Sequence, residues 1–294
     1  MDVIIQAIIN GLLTGSYYGL AALGLTLIFG VIKVINFAHG SLLMVGMFAA
    51  YWIVKITGWH PYAALIVVVP ALFFFGYVLQ DLLIKPVLEA QRDVREPTEV
   101  IVVTTGVWYI LDNLALMIFG AEYRVVQTSL SGKIFMLGDY IFPKPQLYGF
   151  ITTAVTAGIL LWFLKYTKLG KSVRAASLDR DAASLMGINQ YRVYNIAFGI
   201  GAAIAGIVGC VLIPFYYVFP TVGVVFDVKC FIIVVLGGLG SIPGALIGGT
   251  IIGLIESIFA QYIASTWTEL IVYVVFLAVL FTRPAGLFGE KLDW

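Results

Sequence analysis

Long apolar runs separated by short polar stretches set the pattern of this chain. The runs cover positions 3–31, 41–57, 62–84, 98–119, 147–164, 193–213, 229–263 and 266–281. About 20 apolar residues make a helix that crosses a bilayer. The pattern therefore predicts an all-α, polytopic helical bundle over residues 1–294, one transmembrane domain with about eight membrane segments. The first run, 29 residues long, exceeds one crossing, so it tilts or continues into an interrupted second element. The stretch 3–57 then holds two crossings or three partial ones. Within it Gly11, Gly15 and Gly19 recur every fourth residue, on one helix face where a neighbouring helix can approach closely.

Two breaks interrupt this pattern. Gly237-Gly238-Leu239-Gly240-Ser241-Ile242-Pro243-Gly244 lies inside the run 229–263, and its glycines and proline exclude a regular helix. Irregular backbone at membrane depth needs protein or a water-filled cavity to satisfy its freed polar groups. The run 229–263 is thereby expected to enter and leave by the same face. A comparable break, Asn36-Phe37-Ala38-His39-Gly40-Ser41, precedes the second helix. Interrupted helices in corresponding positions of two halves point to a transport route near the midplane. The two breaks accordingly suggest an internal pseudo-repeat. They nominate Asn36, Phe37, His39 and Gly40, with Gly238, Gly240, Ser241, Pro243 and Gly244, as pathway-lining residues. Tight turns between hydrophobic helices are the plainer reading of both. His39 alone reads as a hydrogen-bonded turn residue, and His60 lies at the far end of the next helix, so no zinc site follows.

Composition removes the soluble classes. Apolar residues make up 61% and charged residues 11% of 294, with a mean hydropathy of +1.02, against about 45–50% and ~25% in soluble domains. A net charge of +1 leaves no nucleic-acid footprint, and Cys210 and Cys230, beside or inside apolar runs, read as packing residues. The first basic residue is Lys33, so the N-terminus lacks the positive region of a secretory signal and is expected to stay in the mature protein. Lys85, Arg92 and Arg95 in one polar break and Lys165, Lys168, Lys171, Arg174, Arg180 and Arg192 in another join Lys33, Arg283 and Lys291. This puts 12 of the 17 Lys and Arg on one side, which the positive-inside rule makes cytoplasmic. Lys55, Arg124, Lys133, Lys144 and Lys229 take the other side. The C-terminus is then expected in the cytoplasm and the N-terminus outside.

The cytoplasmic loop 165–192 carries the most specific signal. Gly170-Lys171-Ser172 invites a phosphate-loop reading, but the required first glycine position holds Lys165, so no nucleotide site follows. Asp179 is a candidate N-cap of a short helix with the small residues Ala182 and Ala183 on its surface and Gly187 as its stop. Such a helix, flanked by cations, suits insertion into a groove on another protein. Asp181-Ala182-Ala183-Ser184-Leu185-Met186-Gly187 resembles the Glu-Ala-Ala-x-x-x-Gly loop of permease subunits of bacterial ABC importers, with Asp for Glu. Three blocks, one of them containing this loop, are similar to permeases of the branched-chain amino-acid ABC importer family. They are Gly24 to Met47 with Val-Ile-Asn-Phe-Ala-His-Gly at 34–40, Ala175 to Asn189, and Val235 to Glu256 with Gly-Gly-Leu-Gly-Ser-Ile-Pro-Gly-Ala at 237–245. The similarity covers almost the whole chain apart from Ala121 to Leu147.

The resemblance implies a permease subunit in a bacterial inner membrane. It would pair with a second, similar permease, two cytoplasmic ATP-binding subunits and an external substrate-binding protein. This chain would bind no cofactor of its own, since ATP and magnesium belong to the partners. Asp179, Asp181, Ala182, Ala183 and Gly187 would form the ATPase-coupling helix, and the two breaks the moving backbone of an alternating-access route. Family substrates include leucine, isoleucine and valine, other amino acids, urea or short amides, and some aromatic acids. Asp112 and Glu256 lie within apolar runs, where an ionised group costs roughly 2.5–3.5 kcal/mol at the bilayer centre. Each therefore faces the bundle interior, a helix end or a partner subunit. Asp81 and Glu99 fall near membrane edges. A stand-alone, ion-coupled transporter or channel using Asp112 and Glu256 is the competing reading. An intramembrane enzyme lacks any usable catalytic cluster.

Overall fold

The computed structural model describes residues 2–90, 98–128 and 131–289, so Arg92, Arg95 and Lys291 of the charge count lie outside the described residues. Twelve α-helices and one β-hairpin make up these residues. Seven helical spans are long and apolar enough to cross a membrane. Helix α1 (Asp2–Ile32) ends at Lys33, whose φ of 62° closes it in the left-handed conformation. Helix α2 (His39–Thr57) follows the first break, and α3 (Pro61–Leu79) continues through a π turn (Gln80–Ile84) into α4 (Lys85–Ala90). Helices α5 (Glu99–Phe119) and α6 (Lys144–Tyr166) flank a hairpin of β1 (Ile134–Leu137) and β2 (Tyr140–Pro143). Two short helices come next, α7 (Lys168–Leu178) and α8 (Arg180–Leu185). The remainder is α9 (Gln190–Leu212), α10 (Val222–Gly237), α11 (Ile242–Phe259) and α12 (Ser265–Thr282).

Two expectations are corrected. The run 229–263 is broken at the octet as expected, but its first helix begins seven residues earlier, at Val222. Lys229 is therefore no loop cation; it sits mid-helix on α10, with its side chain 17% exposed and bound to Glu256. The all-α bundle holds, with one short hairpin added where the sequence was least informative. Its edge strand is held by a side chain of α1: the Gln6 amide donates to the Ile141 carbonyl at 2.7 Å and accepts from the Ile141 N–H at 2.9 Å.

Helices α1 and α9 are apolar on nearly every face and form the buried centre. Each packs antiparallel against one neighbour, α1 on α11 and α9 on α3. Apolar side chains gain nothing by leaving lipid for one another, so close backbone packing must hold such helices together. The glycine stripe of α1 supplies it: a Cβ on Gly11 would meet Leu254, one on Gly15 would lie 2.7 Å from the Gly249 carbonyl oxygen, and one on Gly19 would meet Leu246. On the other flank Gly76 meets Ala202, and Gly206 meets Val68 and Leu72. The outer helices show lipid-type surfaces, with Ile66, Val102, Met117, Ile159 and Phe281 largely exposed.

The chain follows the same path twice, the second time turned over. Helices α1, α2, α3 and α5 correspond to α9, α10, α11 and α12, with α6 to α8 as the connection. This changes the pairing of the breaks. The octet 237–244 joins α10 to α11 as Gly58 to Pro61 joins α2 to α3. The true counterpart of the break before α2 is the irregular segment 213–221 before α10.

Candidate functional site

The site is built where helices α2 and α10 begin. His39 opens α2, and its Nε2 lies 3.0 Å from the carbonyl oxygen of Ala21, near the middle of the 31-residue α1. The helix thus starts at mid-depth and not at the end of the bundle. Glycine is the second residue of each half-helix, Gly40 in α2 and Gly223 in α10. The two glycines face each other so closely that a Cβ on either would strike the other's backbone. The exposed first-turn N–H groups of α2 are met by an acid from α10: Gly40 N–H donates to Asp227 Oδ1 at 2.5 Å. A second acid stands beside it. Asp112 of α5 accepts from Ser41 Oγ at 2.6 Å and from Trp108 Nε1 at 2.9 Å, and it is buried.

Each break borders a cavity. Asn36 and Phe37, with Asp227 and Trp108, line one of about 200 Å³ against α1, α5 and α10. Gly240, Ser241 and Pro243 line a larger one of about 590 Å³, together with Gly30 of α1, Lys165 of α6 and Arg174 of α7. The octet is held from both sides. A Cβ on Gly244 would strike Gly237, and the tail beyond α12 crosses over Gly238, with Leu287 and Phe288 N–H donating to Leu236 and Gly237 carbonyls at 2.9 and 3.1 Å. Gly238 and Gly240 have φ of 104° and 86°, which side-chain-bearing residues rarely adopt. Ser241 caps α11 by accepting from Gly244 N–H at 3.2 Å.

The short cationic-end helix forms as its sequence dictates. Asp179 Oδ1 accepts from the N–H groups of Asp181 and Ala182 at 2.9 and 3.0 Å, and Gly187 ends the turn with φ of 81°. Arg180 anchors it to the last turn of α1, donating to the Ile32 carbonyl at 3.3 Å.

Known proteins resolve what such a chain is for. The family model described as "Branched-chain amino acid transport system / permease component" matches residues 7–280. The chain belongs to this family. It is a membrane permease subunit of an ABC-type transport system. The high-affinity branched-chain amino acid transport system permease protein LivH of Escherichia coli (strain K12) is 31% identical over 302 residues, covering 97% of this chain and 96% of that protein. BraD of Pseudomonas aeruginosa, named for the same kind of system, is 29% identical with the same coverage. A probable branched-chain amino acid transport permease protein LivH of Methanocaldococcus jannaschii is 31% identical over 296 residues, or 94% of this chain and 89% of that one. No solved structure matches the chain.

Within the permease, the nominated residues divide. Asn36 and Phe37 share one cavity and Gly240, Ser241 and Pro243 the other. His39 is fully buried between α1 and α9, and Gly40, Gly238 and Gly244 serve backbone packing. Ala183 is a correction: it is 4% exposed, turned into the protein and not onto the helix surface. The outward face carries Ala182 and, unforeseen, Leu185 and Met186, exposed by 88% and 82%. Asp227 is the residue of this site that the sequence reading did not nominate. An acid beside Lys229 at the edge of an apolar run reads as a loop end, and the cue that could have found it was Gly223, matching Gly40 as a second-residue glycine.

Proposed function

We propose that this permease is the membrane-spanning subunit of an ATP-driven importer of branched-chain amino acids, working with a second homologous permease, two cytoplasmic ATP-binding subunits and an external binding protein. ATP and magnesium act in those partners. The end of the bundle bearing Lys33, Lys85, loop 165–192 and Arg283 is the cytoplasmic one, and the N-terminus with the hairpin faces outside. The substrate class follows from the names of the relatives. Closure and opening of the ATPases would reach the route through α8, since Arg180 ties that helix to the end of α1 next to the break that α2 follows. A self-sufficient ion-coupled carrier has less support, because both intramembrane acids nominated for it are engaged inside the chain, Asp112 by Ser41 and Trp108 and Glu256 by Lys229.

The observation that carries the coupling assignment is the pair of large apolar side chains, Leu185 and Met186, exposed at the C-terminal end of a six-residue helix. A polar loop has no reason to display them to water, whereas a protein groove would bury them. Leu185→Arg or Ala182→Arg should cut co-purification of the ATP-binding subunits and ATP-dependent uptake at least tenfold, with normal membrane insertion. Buried Ala183→Arg should instead lower the amount of folded permease. Full uptake by the Leu185 variant would remove the assignment.

A further inference from the structure

The cavity at the first break has a chemistry that its place in the fold does not require. Its walls are apolar, formed by Leu25, Ile35, Val224 and Phe231, and among the described residues two of its polar side chains stand without a full set of partners. One is Asn36, 3% exposed, whose Nδ2 is buried with no hydrogen-bond partner among the described residues. The amide is not simply turned the wrong way: its Oδ1 accepts from Ala38 N–H at 3.1 Å, and a backbone donor fixes that atom as the oxygen. A buried donor left unpaired is costly, so it calls for an acceptor that comes and goes. The other group is Asp227, whose Oδ1 is taken by Gly40 N–H while Oδ2 accepts no hydrogen bond among the described residues.

A lone donor, a lone acceptor and an aliphatic wall around one small volume describe a specific ligand. We propose that this chamber binds one zwitterionic aliphatic α-amino acid in transit, its ammonium on Asp227 Oδ2, its carboxylate on Asn36 Nδ2, and its side chain against Leu25, Ile35 and Phe231. Size agrees: sites for drug-sized ligands run about 300–1,000 Å³, and a chamber of about 200 Å³ suits a smaller molecule. Its rim is open, with Phe37 and Val228 exposed by 37% and 41%. The permease would then screen what the external binding protein delivers. This rests on the importer reading above.

The test uses the complete transporter in proteoliposomes, with the external binding protein supplied at saturation and radiolabelled leucine or alanine as substrate. Val228→Phe fills the chamber from its rim; it should lower the leucine-to-alanine uptake ratio about tenfold or more, the scale on which pockets discriminate methylenes. Asn36→Asp keeps the bond from Ala38 N–H but replaces the free donor with an oxygen that repels a carboxylate, and should raise the KM for both amino acids about tenfold. Co-purification of the partner subunits verifies assembly, and where Val228→Phe does not assemble Asn36→Asp decides alone. Wild-type ratio and KM in the assembled variants would overturn the chamber while leaving the importer reading intact. Failure of the unmodified complex to take up either amino acid would overturn both.

Discussion

Lys229 and Glu256 form the shortest ion pair among the described residues, with Nζ 2.7 Å from Oε1. The ammonium also donates to Tyr18 Oη at 2.8 Å and sits 4.5 Å from the centre of that ring. Both side chains are 17% exposed, so water screens the pair little. Removing one member leaves a charge that lipid and protein cannot solvate, which costs about 3–5 kcal/mol in buried pairs, whereas replacing both by apolar groups is often neutral. Lys229→Met should therefore lower the unfolding midpoint of the detergent-purified protein markedly, and Lys229→Met with Glu256→Leu should restore most of it. Equal destabilisation by the single and double variants would show that packing, and not charge, sets the cost. Glu256 was conspicuous in the sequence as an acid in an apolar run. Its partner was not, because a lysine seven residues into a helix looks like a loop cation when the helix start is placed too late.

Glycine spacing was fully legible at the level of helices. A four-residue repeat survives any uncertainty in helix ends, and Gly11, Gly15 and Gly19 do face α11. What hydropathy does not record is depth. Helix α10 begins behind an irregular segment that is itself apolar, so the sequence pattern started it seven residues late and joined it to α11 in one run. The contact of α1 with α11 gives a direct prediction. A side chain at Gly15 would press on Gly249 and Thr250 backbone, which cannot yield without parting the helices, so Gly15→Leu should destabilise by roughly 1–3 kcal/mol or more. Gly106 on α5 has open space where a Cβ would go; Gly106→Ala should be neutral or stabilising by up to about 1 kcal/mol. Thermal unfolding of both variants in one detergent separates these outcomes, and equal midpoints would refute close packing at Gly15.

For the molecule as a whole, composition and run lengths were enough to establish a polytopic helical bundle, and three short blocks enough to find its family. The inverted repeat was visible only in outline. Two breaks suggested it, but they were matched wrongly, since the glycine-rich octet is more conspicuous than the segment 213–221 that corresponds to the first break. Corrected, the repeat brings two helix N-termini, Gly40 against Gly223, to one point near mid-depth, with Asp227, Asp112 and Asn36 around it. Two antiparallel pairs, α1 with α11 and α3 with α9, enclose that point, and packed pairs of this kind can rock as units. The most direct measurement is uptake of radiolabelled leucine into liposomes holding either the purified permease alone or the permease with its partner permease, ATP-binding subunits and external binding protein. Uptake that requires the full complex and ATP, and that is absent for the permease alone under proton or sodium gradients, is the predicted result. Leucine accumulation by the permease alone would contradict the account.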